Sequence, residues 1–167
     1  MKDLTAYMNF LDSLSQLEIL DADGNRNILE MSPGLSRAQV RKWEISNKNT
    51  LPEDYLFFIE RWNGGFLYGL EILALEEAHY DNDESLLAFH GWGNGDFDCI
   101  GLLPKHSGQI FFVNHENGQI SQVSSSFSVW LEKVIEEKQK HKVLCHPMDY
   151  IISKPTYRGL YADIPYT

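Results

Sequence analysis

The sequence predicts an α+β domain in which helices pack on a mostly antiparallel sheet of about five strands. Two patterns predict it: an early stretch with apolar residues every three or four positions, and a later series of short apolar or alternating segments between turn residues. The chain has 167 residues, of which 43% are hydrophobic and 13% aromatic. That length and composition suit a single domain with a sizeable core, which we predict over residues 1–167.

Three helices are predicted before the sheet and one after it. The first carries its apolar face at Leu4, Tyr7, Met8, Leu11, Leu14 and Leu17. Ser36 is placed to cap a short second helix. The third begins at Leu51-Pro52 and is predicted to end at Asn63-Gly64-Gly65, because glycine adopts the left-handed conformation that follows many helices. Ser125 or Ser126 is placed to cap the final helix.

Five segments between the third and fourth helices are predicted to be strands, because they are short and bounded by turn residues. They are Phe66–Leu73, Ser85–Phe89, Phe97–Leu103, Gln109–His115 and Gln119–Ser124. Asn117-Gly118 lies between the last two and matches the dipeptide of a tight type I′ hairpin. Turn-length connections between successive strands favour antiparallel pairing.

Acidic residues are concentrated in the middle of the chain. The net charge is −10, and no Lys or Arg occurs between Trp62 and Pro104. A nucleic-acid-binding surface needs the opposite sign, so the acidic residues favour a protein partner with a basic surface, or serve only to keep the protein soluble. Aromatic residues of the same region could anchor such a partner, or could belong to the core. The candidate partner-binding residues are Glu76, Glu77, Tyr80, Asp81, Asp83, Glu84, Trp92, Asp96 and Asp98.

The segment HGWGNGDFD, residues 90–98, raises the question of an active-site loop. No lysine follows its glycines and no helix is predicted after them, so both common phosphate-binding motifs are excluded. Asp96 and Asp98 would share one face of a strand with their Cα atoms roughly 6.5–7 Å apart, a spacing open to a metal-dependent hydrolase. The same alternation is typical of the solvent-facing side of an antiparallel strand, which is the interpretation we favour.

No catalytic set, metal site or cofactor site is predicted elsewhere. The six histidines show no HxH or HExxH spacing, and no nucleophile-elbow glycines flank the serine run at 124–126. Cys99 and Cys145 are expected to be reduced thiols. No apolar run is long enough for a spanning helix, and the N-terminus lacks the apolar core of a signal peptide. We therefore predict a cytoplasmic protein that is not an enzyme and binds neither nucleic acid nor membrane.

The order of several segments resembles the SUKH superfamily of cell-wall-assembly regulators and bacterial immunity proteins. The segments are LPEDYLFFIERWNGG, GLEILALEEA, LLAFHGWGNGDFDCIGL and GQIFFVNHENGQISQVSSSFSVWL. The resemblance covers about residues 36–137, which leaves an N-terminal helical extension over 1–35 and a C-terminal tail over 138–167.

This resemblance implies a SUKH-like α+β fold without a known catalytic apparatus. Many bacterial members are immunity proteins that bind and block a cognate toxin, frequently a nuclease, so this function is the first hypothesis. A regulatory or scaffold protein of the cell-wall-assembly-regulator type is the alternative. The third hypothesis, the metal-dependent hydrolase, rests on Asp96 and Asp98 alone.

Overall fold

The computed structural model describes residues 4–20, 26–78, 80–81 and 85–141, and within them it has an α+β fold. The helices are α1 (Leu4–Leu14), α2 (Arg37–Asn47), α3 (Glu53–Arg61) and α4 (Phe127–His141). The strands are β1 (Ile19–Leu20), β2 (Arg26–Asn27), β3 (Leu29–Pro33), β4 (Trp62–Leu67), β5 (Leu70–Ile72), β6 (Tyr80–Asp81), β7 (Leu86–Gly91), β8 (Phe97–Gly101), β9 (Ile110–Val113) and β10 (Ile120–Ser124). The predicted fold class is confirmed.

The main sheet is larger than the five strands predicted. Seven strands follow the order β10-β9-β8-β7-β5-β4-β3, β6 pairs with β7 beside them, and these pairings are antiparallel. Strands β1 and β2 form a separate antiparallel pair. The segment predicted as one strand over Phe66–Leu73 is instead a hairpin, because Tyr68 (φ 53°) and Gly69 (φ 82°) form a tight turn between β4 and β5.

The glycine pair after α3 belongs to a strand, so its predicted role at the helix end is wrong. Helix α3 ends at Arg61, and Trp62 is already extended, with φ −142° and ψ 127°. Gly64 and Gly65 then lie within β4 with positive φ angles of 81° and 119°. A Cβ at Gly64 would lie 2.6 Å from the Ala74 backbone nitrogen. Close approach of two backbones therefore requires glycine here.

The hairpin between β9 and β10 also differs from its prediction. Gly118 has a positive φ of 69°, but Asn117 lacks the positive φ that a type I′ turn would require. The loop is closed by the Asn114 N–H, which donates to Gln119 O at 2.9 Å, and by the Gly118 N–H, which donates to Asn114 O at 2.9 Å. The Asn114 side chain also accepts from the backbone of Glu116. A buried asparagine thus organises a longer loop.

Side-chain caps begin α2 and α4 as predicted. The Gln39 N–H donates to Ser36 Oγ at 3.4 Å, and the Ser36 N–H donates to Gln39 Oε1 at 2.9 Å, which completes a capping box. Of the two candidate serines at α4, Ser126 accepts from the backbone of the helix, with its Oγ 3.3 Å from the Val129 nitrogen. These caps satisfy backbone donors that have no partner inside the helix.

The helices pack on one face of the sheet around a cluster of aromatic rings. Phe127 of α4 lies at its centre, with ring-centroid distances of 5.0 Å to Tyr55, 5.0 Å to Phe58 and 5.3 Å to Phe89. Helix α1 joins the same buried cluster through Tyr7, Leu11 and Leu14. The N-terminal helix outside the SUKH resemblance therefore shares the core of the rest.

Tyr55→Phe is expected to leave the free energy of unfolding at pH 7 unchanged or to raise it by up to about 1 kcal/mol. Tyr55 is fully buried, and among the described residues its hydroxyl has no hydrogen-bond partner. Burial also raises the Tyr55 pKa above its ordinary value. A tyrosine whose pKa is raised by folding contributes stability that is fully present below about pH 10, the pKa of the unfolded chain. This contribution is lost as the pH rises further. The variant should therefore lose less stability above that pH, as urea titrations at several pH values would measure.

Tyr68→Phe is the matched control, because the Tyr68 hydroxyl donates to Leu14 O. Its removal is expected to cost about 1 kcal/mol at pH 7. Equal losses of stability in the two variants would contradict the prediction for Tyr55.

Candidate functional site

The segment HGWGNGDFD forms the hairpin connection between β7 and β8. Strand β7 ends at Gly91, β8 begins at Phe97, and the Trp92 N–H donates to Asp96 O at 3.0 Å across the loop. Gly93 and Gly95 have positive φ angles of 78° and 99°, which favour glycine. The prediction of a turn that leads into a strand is confirmed.

Asp96 joins this loop to the neighbouring β9–β10 loop. Its side chain is 1% exposed, and Oδ1 accepts from the His115 backbone N–H at 2.9 Å and lies 2.7 Å from His115 Nδ1. Oδ2 accepts from Asn94 Nδ2 at 3.0 Å. A Cβ at Gly95 would lie 3.0 Å from the His115 ring, so the missing side chain allows this approach. The carboxylate is a structural link between two hairpins.

Asp98 is also buried, within the central strand β8. It lies opposite His90 on β7 and Phe112 on β9, so these three residues share the sheet face that carries the helices. Asp98 is fully buried and His90 is 2% exposed, with His90 Nδ1 2.7 Å from Glu71 O. The interpretation of Asp96 and Asp98 as a solvent-facing pair is wrong, because β8 lies in the middle of a sheet covered on this face.

The two aspartates therefore do not form an accessible carboxylate pair. Asp96 is held by Asn94 and His115, whereas Asp98 lies among strand neighbours on the helix side. In the described ranges, no group of three or more His, Cys, Asp or Glu side chains is arranged to hold a metal ion. Neither carboxylate is positioned to meet a substrate, so the hydrolase hypothesis gains no support.

The opposite face of the sheet presents a row of residues that are paired across all seven strands. Each residue lies directly opposite the next in the strand register, and directly opposed residues point to the same face. The row runs Glu30, Phe66, Glu71, Gly91, Phe97, Val113 and Ile120. We call this side the open face, because the small buried cluster beneath it contains no residue of a described helix.

The open face carries half-exposed apolar side chains toward both ends of the row and two carboxylates that flank Phe66 at one end. Phe66 is 49% exposed and Ile120 is 42% exposed, while Phe97 is half-buried. Glu30 and Glu71 are exposed. An aromatic ring that is half-exposed between two carboxylates suits a contact with a basic partner, so Phe66 with Glu30 and Glu71 marks this face as a candidate contact surface.

Gly91 leaves a notch in the middle of this row. A Cβ built at Gly91 would lie 3.6 Å from Glu71 Oε2 and 3.7 Å from Phe97 Cε1. A carboxylate and the edge of an aromatic ring therefore line opposite sides of a position that has no side chain. A lysine or arginine side chain is the natural complement of such a notch, since its stem packs on the ring while its charge meets the carboxylate.

Five of the nine predicted partner-binding residues have described side chains, and the structure separates these five into three groups. Glu76 and Glu77 are exposed on the segment after β5, where Glu76 accepts from Asn63 Nδ2 at 2.9 Å and Glu77 from the Ala74 N–H at 3.2 Å. Trp92 is half-buried against the main core, with its ring 5.0 Å from His90, so little of it is free to act as an anchor. Asp96 and Asp98 are buried.

The remaining predicted residues are described in part or not at all. Tyr80 and Asp81 form β6 beside β7, but their side chains are not described. Asp83 and Glu84 lie outside the described residues, as does the tail from residue 142. Their predicted roles stay predictions.

Sequence reasoning missed Glu30 and Ile120 as members of the site. Strand β3, with Glu30, Ser32 and Pro33 among its five residues, resembles a loop in sequence, and Ile120 has the features of an ordinary apolar strand residue. Only the register of seven strands shows that the two residues close the ends of one row. The useful signal was alternation, which places Phe66 on the face opposite Leu67.

Residues 34–133 match the model of the SMI1 / KNR4 family (SUKH-1). The chain belongs to this family. The match confirms the SUKH resemblance and begins and ends within a few residues of the range expected from sequence. No curated protein matches the chain. The SUKH-1 match contains β4 to β10 and so all of the open-face row except Glu30.

Helix α1 and strands β1–β3 precede the SUKH-1 match, although β3 completes the edge of the main sheet.

None of the helices in the described part of the chain combines the length and apolar character needed to cross a bilayer.

Proposed function

We propose that this SUKH-1 domain is a non-catalytic, cytoplasmic immunity protein that binds a cognate toxin through the open face and blocks it. The observation that supports this proposal is the Phe66 side chain, which is 49% exposed and lies directly opposite Glu30 and Glu71, on a row that ends at the half-exposed Ile120. Interfaces combine buried aromatic anchors with a polar rim, and this row offers both on a rigid sheet.

The chemistry of the partner follows from the charge of the surface. A nuclease toxin has a basic cleft, because it must hold a polyanion. Carboxylates on an inhibitor accelerate its encounter with such a cleft and fix its orientation. Glu30 and Glu71 lie on the row, and Glu76 and Glu77 add exposed carboxylates on the segment after β5. The notch at Gly91 would receive one lysine or arginine side chain of the toxin.

Glu71→Lys is expected to slow association with the toxin several-fold at low salt, because it places a repulsive charge beside the notch. The probe is the purified protein encoded by the neighbouring gene, and association is measured by surface plasmon resonance at two salt concentrations. Glu18→Lys is the matched control, since Glu18 is exposed before β1 and away from the open-face row. The wild-type rate should fall as salt rises, and the Glu71→Lys rate should depend less on salt.

Phe66→Ala in the same assay is expected to weaken binding about tenfold or more, mainly through faster dissociation. Equal kinetics for wild type, Glu71→Lys and Phe66→Ala would exclude the open face as the binding surface. High affinity for a cellular protein and none for the neighbouring product would favour the regulatory or scaffold function instead.

A further inference from the structure

A cavity of about 480 Å³ lies where the starts of α1, α3 and α4 meet the loop between β8 and β9. Its volume lies within the range of small-molecule sites, roughly 300–1,000 Å³. The exposed Glu53 and Ser107 line it together with the buried Tyr7 and Ser128, so the cavity reaches from the surface into the protein. No residue of the open-face row lines it, so it is a separate candidate site.

Tyr7 brings to this cavity a buried polar group for which the described residues supply no hydrogen-bond partner. The Tyr7 side chain is only 2% exposed. Its burial, and then the carboxylates of Asp54 and Glu132, raise the Tyr7 pKa, so the hydroxyl stays protonated at pH 7 with negative charge close to it. A buried hydroxyl without a partner costs free energy, so this group favours a ligand that supplies one.

The cavity is also negatively charged. Glu53 and Asp54 line it in the first turn of α3, and none of the described residues that line it is basic. The Asp54 carboxylate accepts from the Ser128 N–H at 2.8 Å, which holds it between α3 and α4. The N-termini of these two helices each contribute about half a positive charge, so together they offset about one of the two carboxylates. The charge that remains favours a cation over an anion.

We propose that this cavity binds a small organic cation, a primary ammonium group on an alkyl chain. The ammonium group, which has three N–H donors, meets the Asp54 carboxylate beside the Tyr7 hydroxyl, and Glu53 adds a second negative charge. The alkyl chain packs against the apolar side chains of Leu4 and Val129 in the same lining. Free amines and lysine side chains share this chemistry, so both are used as probes.

Titration of the full-length protein with n-butylammonium, followed by NMR of the backbone amides, tests the proposal. Saturable shifts at the amides of Ser107, Gly108 and Ser125 are expected, with a Kd of about 1 mM or below. The matched control ligands are n-butanol and n-butanoate. They should bind about tenfold more weakly or not at all, because they lack the positive charge that the carboxylates attract.

N-acetyl-lysine methylamide distinguishes the two sources of the ammonium group. Binding as tight as that of n-butylammonium would support a lysine side chain of another protein as the natural ligand. Weaker binding, with n-butylammonium still bound, would support a free amine.

Glu53→Gln and Tyr7→Phe are each expected to weaken the binding of n-butylammonium several-fold, since each removes one group that meets the ligand. Glu18→Gln is the matched control and should bind as the wild type does, because Glu18 is exposed and does not line the cavity. Tyr7→Phe should not lower the urea midpoint, because the hydroxyl that it removes has no partner among the described residues. A loss of binding is thereby separated from a loss of fold.

Three outcomes would overturn the proposal. Tighter binding of n-butanoate would mean that the helix N-termini determine the charge preference and that the cavity is an anion site. Binding of n-butylammonium no tighter than that of n-butanol would exclude a site selective for charge. Equal affinities in the wild type, Glu53→Gln and Tyr7→Phe would place the bound cation elsewhere on this acidic protein. None of these outcomes bears on toxin binding by the open face.

Discussion

Phe127→Ala is expected to lower the free energy of unfolding by about 3–5 kcal/mol, the usual range for a buried phenylalanine. The Phe127 ring is fully buried where α3, α4 and the sheet meet. Its ring contacts Tyr55, Phe58 and Phe89 at centroid distances of 5.0–5.3 Å. These rings are fixed on α3 and β7 and cannot all move inward, so a cavity remains and adds to the lost burial.

Phe66→Ala is the matched control for this measurement. It removes the same atoms from a ring that is 49% exposed on the open face, so its cost should stay below about 1 kcal/mol. Urea unfolding followed by fluorescence and circular dichroism measures both variants. A similar loss in the two would mean that the ring cluster around Phe127 is not the centre of the core.

Local signals in the sequence predicted the helices well, because caps and periodicity depend on near neighbours. Ser36 and Gln39 form a capping box within four residues. Ser126 caps α4 and lies next in sequence to the apolar residues that pack this helix into the core. Helix α1 also follows its predicted face at Tyr7, Leu11 and Leu14, although Met8 is 46% exposed. The buried face of this helix is narrower than its stripe of apolar residues suggested.

The candidate site was harder to predict, because it depends on contacts between distant residues. Asp96 and Asp98 alternate with apolar residues as exposed residues do, yet His115 holds the first and β8 buries the second in mid-sheet. A charge pattern shows neither partners nor register. The open-face row needs Glu30 and Ile120, which are far apart in the sequence, to lie on one line, and only the complete strand order provides that.

Gly64→Ala is expected to lower the free energy of unfolding by roughly 3 kcal/mol or more. Its φ of 81° costs an L-residue about 1–2 kcal/mol. A Cβ there would also lie 2.6 Å from the nitrogen and 2.8 Å from the Cα of Ala74. These are backbone atoms of the segment after β5 and cannot rotate away, so β4 and that segment must move apart, with an added cost of overpacking.

Gly93→Ala separates the two causes, because Gly93 has nearly the same φ, 78°, in open surroundings. Apart from its chain neighbours, no atom of the described residues lies within 4 Å of the position that a Cβ would occupy there. The free energy of unfolding lost in Gly93→Ala should equal the conformational strain alone, about 1–2 kcal/mol. The difference between the two variants in urea unfolding then measures the close approach of β4 to Ala74. Equal losses of unfolding free energy in the two variants would show that β4 tolerates a side chain at residue 64. The positive φ, and not the close contact between the two backbones, would then explain why glycine occupies this position.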